Sequence, residues 1–204
     1  MLASPVVSSS AAPNITRGLL AAAALLALSV VVGCGSSEPQ DANEPSGDYP
    51  VEVTKVSFPR RQGLGETSQL KITVSNVGRQ QIPNIALTVN GLNYRTTEPG
   101  VADPLRPLWV VNVGPLRGTT AYVNTWALGA LNAGDERSFI WSLSATQPGT
   151  HTLAYRVAAG LNGKARAVTA SGTLPAGTIT ANVTRRPRDA VVDPASGQVI
   201  ERGQ

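Results

Sequence analysis

Few side chains in this 204-residue sequence are equipped for chemistry. One Cys, Cys34, excludes a disulfide framework, a cysteine zinc cluster and a paired-cysteine redox centre. One His, His151, excludes most His-dependent metal and triad chemistry. It stands in phase with Leu153 and Tyr155 and has no Ser, Cys or carboxylate at motif spacing, so it reads as a strand residue. No G-x-S-x-G, S-x-x-K or H-E-x-x-H pattern occurs, and the glycines form no phosphate loop. Glu98 and Asp103, with Asp135-Glu136, offer oxygen ligands, but Ca²⁺ needs about six or more and no D-x-D loop concentrates them. The remaining concentration lies in 91–130. Tyr94, Trp109, Tyr122 and Trp126 are four of the nine aromatic residues, and Arg95, Arg106 and Arg117 stand among them. Such a set could stack on sugars or grip an anionic chain. Equally, Trp109 and Trp126 could plug the open end of a β-sandwich, as large apolar side chains do.

The N-terminus carries an address. Arg17 precedes an apolar run, Leu19–Val32, of 14 residues that ends at Gly33-Cys34. A spanning helix needs roughly 20 such residues and a signal-peptide core about 7–15, so the run reads as an export signal over an uncleaved anchor. Val31-Val32-Gly33-Cys34 further resembles the bacterial lipobox. That resemblance implies cleavage between Gly33 and Cys34 and a diacylglyceryl group on the Cys34 sulfur. Residues 1–33 are then a lipoprotein signal peptide, and the mature chain is held on the membrane by its lipid, outside the cytoplasm.

Behind the anchor, charge is unevenly spread. Residues 34–50 hold Glu38, Asp41, Glu44 and Asp48 with no basic residue, and Pro39, Pro45 and Pro50 oppose a helix. They read as an acidic disordered linker with a mean span of about 20–25 Å. From 51 to 184 there are 12 Lys and Arg against 6 Asp and Glu, a balance of +6. The tail, 185–204, contains Arg185-Arg186-Pro187-Arg188 and reads as solvated. A basic domain outside the cytoplasm suits anionic wall polymers, phospholipid headgroups or acidic proteins, and nucleic acid is not an expected partner.

Positioning these residues falls to strands, because the apolar period is two. Leu70, Ile72 and Val74 alternate with polar neighbours. So do Ile85, Leu87 and Val89, which lead to Asn90-Gly91. Phe139, Trp141 and Leu143 form another inward face, as do Leu153, Tyr155 and Val157, and Ile179, Ala181 and Val183. Residues 51–58 change phase near Thr54-Lys55, which predicts either a bulge or a strand passing between sheets. Asn162-Gly163 predicts a hairpin between 151–158 and 165–170. With less regular segments at 108–113 and 120–126, the count is about nine strands, and no amphipathic helix follows the signal segment. The fold expected is an all-β, antiparallel immunoglobulin-like β-sandwich over 51–184, with 91–130 as an insertion.

The run Leu70–Gly78, then Ile85–Val89, Ala133-Gly134-Asp135-Glu136 and Gly149-Thr-His-Thr-Leu153 resembles the bacterial CARDB-type immunoglobulin-like domains. The resemblance covers roughly 51–90 and 131–184. It implies a surface-exposed binding, adhesion or spacer module without a family-wide catalytic residue. The expectation is therefore a non-enzymatic, cofactor-free module of the cell envelope, lipidated at Cys34, with Arg95, Arg106, Arg117, Trp109 and Trp126 as candidate ligand contacts. Its partner would be an anionic wall polymer. A structural subunit meeting another envelope protein through the insertion or a sheet edge is the alternative. A hydrolase using Glu98 and Asp103 is a third possibility.

Overall fold

Alternating apolar residues can bury one face of a strand only if a second sheet covers it, and this chain supplies both sheets. A computed structural model describes residues 42–94, 107–186 and 190–201, all within one compact unit, Pro39–Gln204. Among the described residues there are thirteen strands and no helix. In chain order they are β1 (Gly47–Ser57), β2 (Arg61–Gly63), β3 (Thr67–Asn76), β4 (Ala86–Asn90), β5 (Trp109–Val113), β6 (Thr119–Tyr122) and β7 (Thr125–Ala127). Then follow β8 (Glu136–Ala145), β9 (Gly149–Ala158), β10 (Ala165–Val168), β11 (Ala176–Thr184), β12 (Ala190–Val192) and β13 (Val199–Glu201). One sheet has the order β10-β1-β3-β8-β5 and the other β2-β11-β9-β4-β7-β6, while β12 and β13 form a separate hairpin.

The core is what the alternation predicts. Leu70, Ile72 and Val74 from β3 and Phe139, Trp141 and Leu143 from β8 are fully buried. They meet Leu87 and Val89 of β4, Leu153 and Val157 of β9, and Ala181 and Val183 of β11 in one cluster. Burying side chains of this size contributes about 1.5–3 kcal/mol each. The phase change in β1 is a bulge, since the register with β3 shifts between Val53 and Lys55 while the strand stays in one sheet.

Three expectations are corrected. The ordered domain starts before residue 51, because Gly47–Pro50 already pair with Ala165–Val168 and Tyr49 is buried. The pairing is parallel there and again between β11 and β2, while every other strand pair of the two sheets, including the edge pairs β5–β8 and β6–β7, is antiparallel as expected. Asn162-Gly163 does not close a hairpin: β9 and β10 lie in different sheets, and the turn crosses from one to the other. In the tail, Ala190–Val192 pairs with Val199–Glu201, with Asp193 holding the turn through Ser196 Oγ and the Ala195 N–H.

Candidate functional site

The aromatic residues of the insertion are where packing, not ligand binding, needs them. Trp109 is 1% exposed. Its indole N–H donates to Gln62 Oε1 at 3.0 Å, and its ring meets Phe58 and His151 edge-on. Trp126 is buried, and its ring lies 5.3 Å from that of Trp141 at 80°. Both indoles therefore plug the sandwich and present no face to a ligand, which corrects their candidacy as stacking platforms. Arg117 is exposed in the turn between β5 and β6, with φ at 61°. Arg95, Arg106, Glu98 and Asp103 lie outside the described residues, as do Gly33 and Cys34. His151 is structural, its Nε2 lying 3.0 Å from the Gln147 carbonyl. Among the described residues no three His, Cys, Asp or Glu side chains converge.

The turn motifs of the sequence meet in space. Buried Asn76 donates through Nδ2 to the carbonyls of Gln80 and Leu131 at 2.8 and 2.9 Å, and its Oδ1 accepts from the Gly78 N–H at 3.0 Å. Its own backbone N–H donates to Asp135 O at 3.0 Å, and its carbonyl accepts from Gly134 N–H at 2.9 Å. Gly134 has φ at 79°, a conformation a side chain would oppose. Asn-x-Gly and Ala-Gly-Asp-Glu are thus two halves of one lock beside β3 and β8, with no reactive group in it.

A different assembly forms where β9 leaves one sheet and β10 enters the other. The carboxylate of Glu44 is buried in the crossing turn. It accepts from the N–H of Asn162 at 2.7 Å and of Ala165 at 2.5 Å. Gly160 is the seat: a Cβ there would stand 2.2 Å from the Glu44 carboxylate. Burial pushes the Glu44 pKa up, but the N–H groups of Ala165, Asn162, Leu161 and Lys164 outweigh it and hold the carboxyl below its usual range. Lys164 Nζ donates to the Ala42 carbonyl at 2.8 Å, and Gly47 N–H to the Lys164 carbonyl at 3.1 Å. Sequence reasoning placed Glu44 in a disordered linker. The carboxylate's partners stand about 120 positions away, so no local signal marked it.

Beside this latch runs an open groove of about 470 Å³ between β9 and β10. Its floor includes buried Val157, Ala165 and Ala167, and the half-exposed side chain of Leu174 lines it. Arg156 and Arg166 also line it, together with Asp48. Arg166 is held by Asp48 at 2.7 Å. Among the described residues the guanidinium of Arg156 has neither an ion pair nor a hydrogen bond.

No family model matches the chain, and no curated protein matches it. Solved structures similar to it include the CARDB domain of a Pyrococcus furiosus protein, crystallised in complex with di-metal ions. That likeness has 14% identity, covers 69% of this chain and 99% of that one, and has a TM-score of 0.42. Native alpha-2-macroglobulin from Escherichia coli, from domain MG7 to the C-terminus, is 16% identical over 74% of this chain and 21% of that one, with a TM-score of 0.42. A Listeria innocua beta-glucosidase is 15% identical over 68% of this chain and 17% of that one, with a TM-score of 0.37.

Proposed function

We propose that the chain is a lipid-anchored, extracytoplasmic binding module of the bacterial envelope, without catalytic activity of its own. The observation that carries this reading is the position of the one Cys. Cys34 directly follows the apolar run and Gly33, and only nine residues, 35–43, separate it from Glu44. Fully extended, that segment spans at most about 30 Å, which keeps the sandwich close to the bilayer. The basic balance of 51–184 favours an anionic wall polymer as the ligand. Two acyl chains on Cys34 anchor the chain stably, whereas one would not. Labelled palmitate should enter the wild-type chain but not Cys34→Ala, and the variant should leave the membrane fraction on salt washing. A Cys34→Ala chain that stays with salt-washed membranes overturns the anchor.

A second reading, an assembly subunit, is favoured by β5. Val110, Val111 and Val113 are 42%, 37% and 52% exposed on the outermost strand of their sheet. The strand carries no charge and no proline, so it lacks two devices that discourage edge pairing. Sedimentation with isolated cell walls separates the readings, since polyanion binding weakens with salt and apolar edge contact does not.

A further inference from the structure

We infer that the groove between β9 and β10 is the anion-binding site of this module, taking a phosphate or carboxylate group carried on a small uncharged body. The inference rests on the binding-module reading and gives it a location different from the arginines of the insertion.

The volume, about 470 Å³, falls within the range of roughly 300–1,000 Å³ typical of ligand sites. Its chemistry is divided. The floor of Val157, Ala165 and Ala167 is apolar and small-residued, so a ligand body can lie close to the backbone. Leu174, 55% exposed, leaves apolar surface for that body to cover. The two cations play different parts. Arg166 is committed to Asp48, so their charges largely offset each other. Arg156 has no such partner among the described residues, and its guanidinium is the charge left to a ligand. A planar guanidinium matches carboxylate and phosphate oxygens in a paired geometry that a lysine would not offer.

Residues of the crossing turn, Gly160, Leu161 and Gly163, also line the groove. The turn's backbone N–H groups already hold one carboxylate, that of Glu44. The glycine seat at 160 shows that this turn is shaped around an anionic group. Glu44 fills that seat, so an incoming anion is met by Arg156 farther along the groove. The groove is open to solvent, so the anionic group of one polymer repeat can enter it from outside.

The test is an NMR titration of the full ¹⁵N-labelled chain with sodium phosphate and, separately, sodium acetate, at ionic strength held constant with chloride. Saturable shifts are expected at Ala158, Gly163 and Ala167 and at Arg156 Nε–H. Arg156→Gln should weaken the apparent affinity by about tenfold or more, the loss of a charged hydrogen-bonding partner, while Arg117→Gln leaves it unchanged. Shifts that fail to saturate, that spread equally over the exposed arginines, or that survive Arg156→Gln overturn the groove. Sedimentation with isolated walls distinguishes the two levels. A wild-type chain that titrates phosphate in the groove but never binds walls overturns the wall-polymer reading while supporting the site. Wall binding unaffected by Arg156→Gln overturns the site while supporting the reading.

Discussion

At the scale of single residues, Glu44 shows how position alters the meaning of a charge. Four of the chain's acids precede residue 50, yet this one is buried, and its carboxylate joins the first strand to the turn between sheets. Its folded pKa lies below the ordinary value, so its contribution is fully present above the unfolded glutamate pKa, about 4.3, and is lost as pH falls through the folded one. Glu44→Gln puts an amide where every neighbour donates, and should cost about 2–3 kcal/mol at neutral pH. Urea unfolding measured at several pH values should show the gap between wild type and variant closing in acid, below about pH 4. A gap that stays constant would mean the carboxylate charge is not what the turn holds. The tryptophans invite a parallel comparison. Trp109 shares its N–H with Gln62, whereas Trp141 Nε1 is a buried side-chain polar atom without a partner among the described residues. Trp109→Phe should therefore destabilise by about 1–3 kcal/mol more than Trp141→Phe, because it strands the Gln62 amide oxygen. Equal losses in chemical denaturation would count against this.

At the scale of elements, the strands were legible and their neighbours were not. Period-two alternation in 70–74, 139–143 and 153–157 marks three core strands, because a strand buried on one face must alternate. Thr73, between Ile72 and Val74, stands outside the apolar cluster yet is only 7% exposed, its hydroxyl 2.9 Å from that of Ser138 on the adjacent strand. The failure at Asn162-Gly163 has a clear cause. Turn chemistry describes how a chain reverses, but β10 pairs with β1, 118 residues earlier in the register Gly47 to Ala165, and so joins the other sheet. Asn76, at the end of β3, acts as a clamp on two loops. Asn76→Ala removes three side-chain hydrogen bonds, taking the Asn76 donor from the Gln80 carbonyl and leaving the Leu131 carbonyl with the Ile82 N–H alone. It should lower stability by about 2–4 kcal/mol, or about 5–15 °C in Tm. Calorimetry checks this, and a loss under about 1 kcal/mol would show that water replaces the clamp.

At the scale of the whole molecule, the boundary of the folded unit matters most for use of the protein. A chain beginning at Val51 lacks Glu44, buried Tyr49 and the parallel ladder to β10. It should melt well below one beginning at Ala42, by about 10 °C or more, and should expose the β10 edge to aggregation. Coincident melting curves would show the segment to be dispensable. What the sequence by itself determined is what depends on near neighbours: all-β character, the inward faces, the turn glycines, the excess of basic residues and the position of the lone Cys after an apolar run. What only the tertiary structure decided depends on residues far apart in the chain. Trp109 and Trp126 became core when the sheets closed over them, Glu44 became a latch when the crossing turn reached it, and Arg156 came to a groove because β9 and β10 part into different sheets. A hydrogen bond or a contact is set by distance in space, and folding alone brings positions more than a hundred residues apart within 3 Å of each other.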